Sequence, residues 1–170
     1  MLQNKFIYFL AIIESKKEMK AAVFHEYGGP VEIAEVARPK LQDSNVLVEV
    51  HAASLNPIDN ILRAGFLRQM LELTFPHVKG YDVSGTVVEI GNNVKNVKIG
   101  DEVFARPNQM DAGSIAEFAR IQEDELAIKP SNLTHEQAAS VPLAGLTAWQ
   151  ALVTKGKIKE GNKVLIHAGS

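Results

Sequence analysis

Val46-Leu-Val-Glu-Val-His-Ala-Ala-Ser-Leu-Asn-Pro-Ile-Asp59 carries two structural periods in succession. In its first half Val46, Val48 and Val50 alternate with Leu47, Glu49 and His51, so one face is apolar and the other mixed. That is the period of a half-buried strand. In its second half Pro57 suits a first helical position, where its missing N–H costs nothing, and Gly65 can end the helix, which predicts a helix over 57–64. Outward from this stretch, Val- and Ile-rich runs recur at 20–24, 31–36, 83–90, 102–105, 115–121 and 126–128. Each is closed by Gly, Pro, Asn or Asp, as at Gly28-Gly29-Pro30, Gly91-Asn92-Asn93 and Gly100-Asp101. The rhythm predicts a mainly β fold with short helices.

The C-terminal third changes character. Thr134-His-Glu-Gln137 matches a capping box, which predicts a short helix over 135–140 that breaks at Pro142. A second helix is expected over 146–154. It leads through Gly156 and Gly161-Asn162 to Lys163-Val-Leu-Ile-His167, a buried-strand pattern, and then to Ala168-Gly-Ser170. A helix, a turn and an apolar strand ending in small residues is how a doubly wound α/β domain opens.

Composition narrows the function classes. The 170 residues are 46% apolar, enough for one good core, and the formal net charge is -2. No whole-protein basic field draws the chain to nucleic acid or an anionic membrane, so neither is expected as a partner. There are no cysteines, which excludes disulfides, a thiolate nucleophile and Cys-built zinc sites, and fits a cytoplasmic location. Phe6 to Ile13 is an apolar run after Lys5, far short of the roughly 20 residues of a spanning helix. With no small-residue cleavage site after it, residues 1–18 read as an extension outside the fold.

Several ordered motifs add up to a family. They include Gly28-Gly-Pro30, Ala53-Ser-Leu-Asn-Pro-Ile-Asp59, Gly80-Tyr-Asp-Val-Ser-Gly85, Val97-Lys-Ile-Gly-Asp-Glu-Val103, Gly113-Ser-Ile-Ala-Glu-Phe118 and Ala138-Ala-Ser-Val-Pro-Leu-Ala-Gly-Leu-Thr-Ala-Trp149. Together, from Met19 to Ser170, they resemble the zinc-independent quinone oxidoreductase branch, zeta-crystallin-like, of the medium-chain dehydrogenase/reductase superfamily. Asn45 departs from the pattern, standing where the family has Gly-Glu before Val-Leu-Val. The resemblance implies a GroES-like β-barrel catalytic domain over 19–141. It further implies that residues 142–170 are the first helix and strand of a truncated Rossmann domain. The expected cofactor is NADPH and the expected substrate a quinone or enone. The Gly-rich phosphate turn of the family would follow Ser170, so the chain alone is expected to lack the main NADPH surface and to be inactive. A homodimer or a complementary Rossmann-domain chain is the partner this implies. The alternative is a free-standing GroES-like binding module without catalysis.

The resemblance also nominates residues. Zinc-dependent cousins place Cys where Asn56 stands and His-Glu where Tyr81-Asp82 stands, so no metal is expected. The five histidines lack ligand spacing. Without a Lewis acid, hydrogen-bond donors must polarise the substrate carbonyl. Asn56 is the first candidate, as donor to substrate or to the nicotinamide ribose; its competing role is capping the helix at Pro57. Thr147 is the second, facing the nicotinamide, against a purely helix-terminal role. Tyr81 can donate its phenol proton, or can simply pack as an amphipathic ring. Asp59 and Asp82 read as hydrogen-bond organisers of their loops, and Arg63 as the partner of a carboxylate. Ile61, Phe66 and Leu67, where the better-studied relatives carry tyrosines, are expected to line an apolar substrate pocket.

Overall fold

The computed structural model of the protein describes residues 18–108 and 113–167. The run Phe6–Ile13 and the terminal Ala168–Ser170 lie outside the described residues. The β-rich part is built from β1 (Glu18–Phe24), β2 (Glu32–Ala37), β3 (Asn45–Ser54), β4 (His77–Val78), β5 (Asp82–Ile90), β6 (Glu102–Ala105), β7 (Phe118–Gln122) and β8 (Leu126–Ile128). Helix α1 (Pro57–Arg63) follows β3, and α2 (His135–Ala139) and α3 (Pro142–Trp149) follow β8.

These strands form two open sheets, one of three strands in the order β2-β1-β4 and one of five in the order β7-β3-β5-β6-β8. This corrects the expected β-barrel, because no sheet closes on itself. Closure needs a continuous ladder between the first and last strands. Among the described residues the sheets are bridged by segment 115–117: Ala21 and Ala116 form an isolated bridge, and the Val50 N–H donates to the Glu117 carbonyl at 2.9 Å. That seam is too short to be a ladder.

β3 is central, flanked by β5 and β7. Val46, Leu47 and Val48 are all buried, so its first half is covered on both faces and the alternation read from the sequence holds only beyond Val48. Val46 and Val48 pack with Val83, Val87, Val103 and Ile121 to form the main core. β5 can approach β3 closely because residue 85 is glycine; a Cβ there would collide with the Glu49 carbonyl. A second cluster, Phe24, Leu62, Leu73 and Tyr81, seats α1 on the smaller sheet. α2 is closed by the capping box, with the Thr134 Oγ1 accepting from the Gln137 N–H at 3.2 Å and the Gln137 side chain accepting from the Thr134 N–H at 3.0 Å.

The C-terminal segment departs from expectation twice. Pro142 does not break a helix but opens α3, as the first-turn position tolerates proline, and the helix runs on as a π-helical turn over Gln150–Lys155. The Rossmann-type strand expected at Val164–His167 does not form, and Val164, Leu165 and Ile166 are exposed. A strand's N–H and C=O groups need a neighbouring strand to bond to, and among the described residues none lies beside this one. Among the described residues no helix is long and apolar enough to cross a membrane.

Candidate functional site

Two buried carboxylates organise the junction of β3, α1, β5 and α3. Asp59, in the first turn of α1, accepts the Asn56 N–H at 2.7 Å through Oδ2 and the Gly80 N–H at 3.0 Å through Oδ1. It thereby fixes the start of α1 to the residue that precedes Tyr81-Asp82. Gly80 has φ 106°, and a Cβ there would collide with the Ser114 hydroxyl, so only glycine lets the chain turn into β5 at this point. Asp82, 1% exposed, accepts at Oδ2 from the Ser54 Oγ at 2.8 Å and the Asn56 Nδ2 at 2.9 Å. Its Oδ1 accepts the Leu143 N–H at 2.8 Å, an otherwise orphaned donor in the first turn of α3. One side chain thus ties the end of β3, the entrance of α1 and the start of α3.

Each nominated residue can be placed by what its polar atoms already do. Asn56 sits at the N-cap position of α1 with an extended backbone, and its amide donates to Asp82 and, at 3.4 Å, to Ser54. Thr147 is exposed on α3, and its hydroxyl donates to the Leu143 carbonyl at 2.7 Å, leaving only its lone pairs available to a ligand. Tyr81 is 2% exposed, and its hydroxyl has no partner among the described residues. Burial pushes the phenol up to about 12, the nearby Asp59 carboxylate pushes the same way, and the Arg106 guanidinium pulls back. Tyr81 therefore stays protonated, an unspent donor. Burial likewise lowers His77 below the ordinary imidazole value, with Asp59 opposing.

A cleft of about 770 Å³ lies between the end of β6 and α3. Arg106 and Leu126 stand on one wall; Leu143, Leu146, Thr147 and Trp149 stand on the other. Of the nominated residues only Thr147 lines it. Ile61 and Phe66 are exposed on and just after α1, and Leu67 packs beside the Phe24–Tyr81 cluster. Arg63 donates to the carbonyls of Gly28 and Gly29 at 3.3 and 2.7 Å, which replaces the carboxylate partner expected for it. Among the described residues no group of His, Cys, Asp or Glu is placed to hold a metal ion.

Sequence reasoning missed Ser54 and Arg106. Ser54 stands two residues before Asn56 in the same motif, a spacing that puts both donors at the end of β3. Arg106 gave no such signal, since nothing in the order of the chain says that the end of β6 faces α3.

Residues 42–131 match the alcohol dehydrogenase GroES-like domain family. The chain is 38% identical to the mitochondrial NAD(P)H oxidoreductase RTN4IP1 of Dictyostelium discoideum over 89% of its own length and 46% of that protein. It is 38% identical to the chloroplastic NADPH-dependent alkenal/one oxidoreductase of Arabidopsis thaliana over 91% of its length and 42% of that protein. Among solved structures, the quinone oxidoreductase of Coxiella burnetii superimposes with a TM-score of 0.81 at 42% identity, covering 90% of this chain and 50% of that one. The chain thus spans about half the length of the relatives it matches. With the matched segment spanning the carboxylate-tied junction at Asn56, Asp59 and Asp82, the chain belongs to the alcohol dehydrogenase GroES-like domain family.

Proposed function

We propose that this chain is the substrate-side part of a zinc-independent, NADPH-dependent reductase that passes hydride to a quinone or an α,β-unsaturated carbonyl. The observation that carries the reading is the Asp82 junction, which holds the Asn56 loop and the first turn of α3 together beside a cleft of about 770 Å³. In this reading residues 19–141 are the catalytic domain and 142–170 open the nucleotide-binding domain, whose remainder comes from further chain or from a partner.

The residues fit a nicotinamide at the cleft in one respect that can be stated atom by atom. Thr147, with its proton committed to Leu143, can only accept, and a carboxamide NH2 is a donor. When bound, NADPH would supply the hydride and its two electrons. Asn56 then positions the loop through Asp82 and offers its amide oxygen to a ribose hydroxyl. Tyr81 is the protonated donor to a substrate oxygen. Ile61, Phe66 and Leu67, on and just after α1 and outside the lining of this cleft, would form an apolar approach for the substrate body.

The test joins this chain in frame to the half of the Coxiella burnetii quinone oxidoreductase that it does not match. NADPH consumption is followed with a benzoquinone and with a 2-alkenal. Turnover is expected from the joined protein and not from the chain alone, and Thr147→Val is expected to lower it. Micromolar NADPH binding by the 170-residue chain would contradict the division of labour. A joined protein that binds NADPH and reduces neither substrate would sink the assignment.

A further inference from the structure

We propose that Arg106 binds the substrate's carbonyl oxygen and stabilises it as it takes on negative charge, a role that rests on the reductase reading above. Arg106 lies just past the end of β6, half-buried on the cleft wall. Among the described residues its guanidinium has neither a hydrogen bond nor an ion pair; it lies over the Tyr81 ring, 5.7 Å from ring centroid to guanidinium carbon. A half-buried guanidinium is partly desolvated, which is costly, and arginine cannot shed its proton to avoid the cost. The Tyr81 hydroxyl, buried and outside the cleft lining, likewise has no hydrogen-bond partner among the described residues. On the cleft wall, a guanidinium whose donors are unspent among the described residues describes a place for an oxygen that arrives with a ligand.

The described acids of the same wall form no ion pair with Arg106. Glu125 accepts the Asn108 N–H at 3.1 Å, and Asp124 is exposed at the rim, where water screens it. The facing side of the cleft carries Leu146 and Trp149, so an oxygen seated at Arg106 is flanked by apolar surface and its charge is felt strongly. As hydride from NADPH forms the new C–H bond at the β-carbon of an enone, the C=C pair shifts toward the carbonyl carbon and the carbonyl π pair moves onto oxygen. The resulting enolate is what Arg106 holds, until water protonates the α-carbon and the saturated carbonyl forms. NADPH is oxidised to NADP+, and the water that gave its proton is left as hydroxide. A fixed donor aimed at charge that exists only late in the reaction lowers the barrier without tightening substrate binding equally.

The experiment uses the 170-residue chain and 4-nitrophenolate, an anionic oxygen on an unsaturated frame, at a pH where the phenol is ionised. Neutral 4-nitroanisole is the comparison ligand. Trp149, the single tryptophan and itself on the cleft wall, reports binding through its fluorescence. The phenolate is expected to bind more tightly than the anisole, and Arg106→Met to erase that preference by about tenfold, the order expected for a charge-assisted hydrogen bond. Arg106→Lys, which keeps the charge and the fold but loses the fork, should retain part of it. Equal binding of the two ligands, or a preference that survives both substitutions, overturns the inference. Turnover by the joined reductase without a phenolate preference removes the Arg106 role alone. A phenolate preference without turnover supports the oxyanion site while removing the reductase reading.

Discussion

Residues 18–141 and residues 142–167 contrast in how their apolar side chains are satisfied. In the first region the strand valines at 46, 48, 83, 87 and 103 are fully buried, and the polar groups beside them are paired through Asp59 and Asp82. In the second only Pro142 is buried, while Leu146, Trp149, Val153, Ile158, Val164, Leu165 and Ile166 are exposed. Both regions are apolar in sequence. What separates them is the partner: β3 has a neighbour on each side, whereas Val164–Ile166 has none. An apolar run becomes a strand only when another backbone accepts its hydrogen bonds.

The contrast can be broken at Asp82, whose side chain hydrogen-bonds across the two regions. Asp82→Ala strands the Ser54, Asn56 and Leu143 donors and should cost about 3 kcal/mol or more in urea unfolding. It should also free the first turn of α3, seen as faster amide exchange at Leu143. A loss under about 1 kcal/mol would mean that the junction does not hold the two regions together. Tyr81 offers a gentler probe. Because the folded phenol sits at about 12, against an ordinary 10, the folded state holds this proton more tightly than the unfolded chain. The contribution is complete below pH 10 and is lost as pH climbs through 12. Tyr81→Phe should abolish that alkaline decline while costing little at neutral pH, since the hydroxyl has no partner to lose. An unchanged pH–stability curve would contradict the burial assigned to the ring.

Smaller effects sharpen the same comparison. Thr134→Ala removes the cap of α2 and should cost about 1 kcal/mol, with the loss confined to the helix that leads toward α3. Leu165→Glu, on the exposed segment, should change unfolding by less than about 0.5 kcal/mol. It should instead reduce self-association in sedimentation, because a contiguous exposed apolar surface favours contact with another copy. A large loss of stability from Leu165→Glu would show that the segment is packed after all.

Much of this was legible in order and type. The spacing at 46–59 placed β3 and α1, and Thr134-His-Glu-Gln137 placed the cap of α2. β6 and β8 coincide with their sequence runs. The two-residue β4 was not legible, since His77–Val78 is a strand only because β1 lies beside it. Nor was sheet closure, because the pattern of a strand is the same in a barrel and in an open sheet. Within the site, the motif residues Asn56, Tyr81 and Asp82 stand out in the sequence, yet the direction of each hydrogen bond does not. Asn56 spends its amide on Asp82, Thr147 spends its proton on Leu143, and Tyr81 keeps its own.

By itself the sequence determined the period of β3 and α1, the runs of β6 and β8, the cap of α2, and the absence of any thiol, because these depend on residue type and on neighbours a few residues apart. Only the tertiary structure decided that the sheets stay open, that Val164–Ile166 goes unpaired, and that Arg106 faces α3 across a cleft. Those are meetings between distant segments, and they turn on which backbone and which charge find a partner.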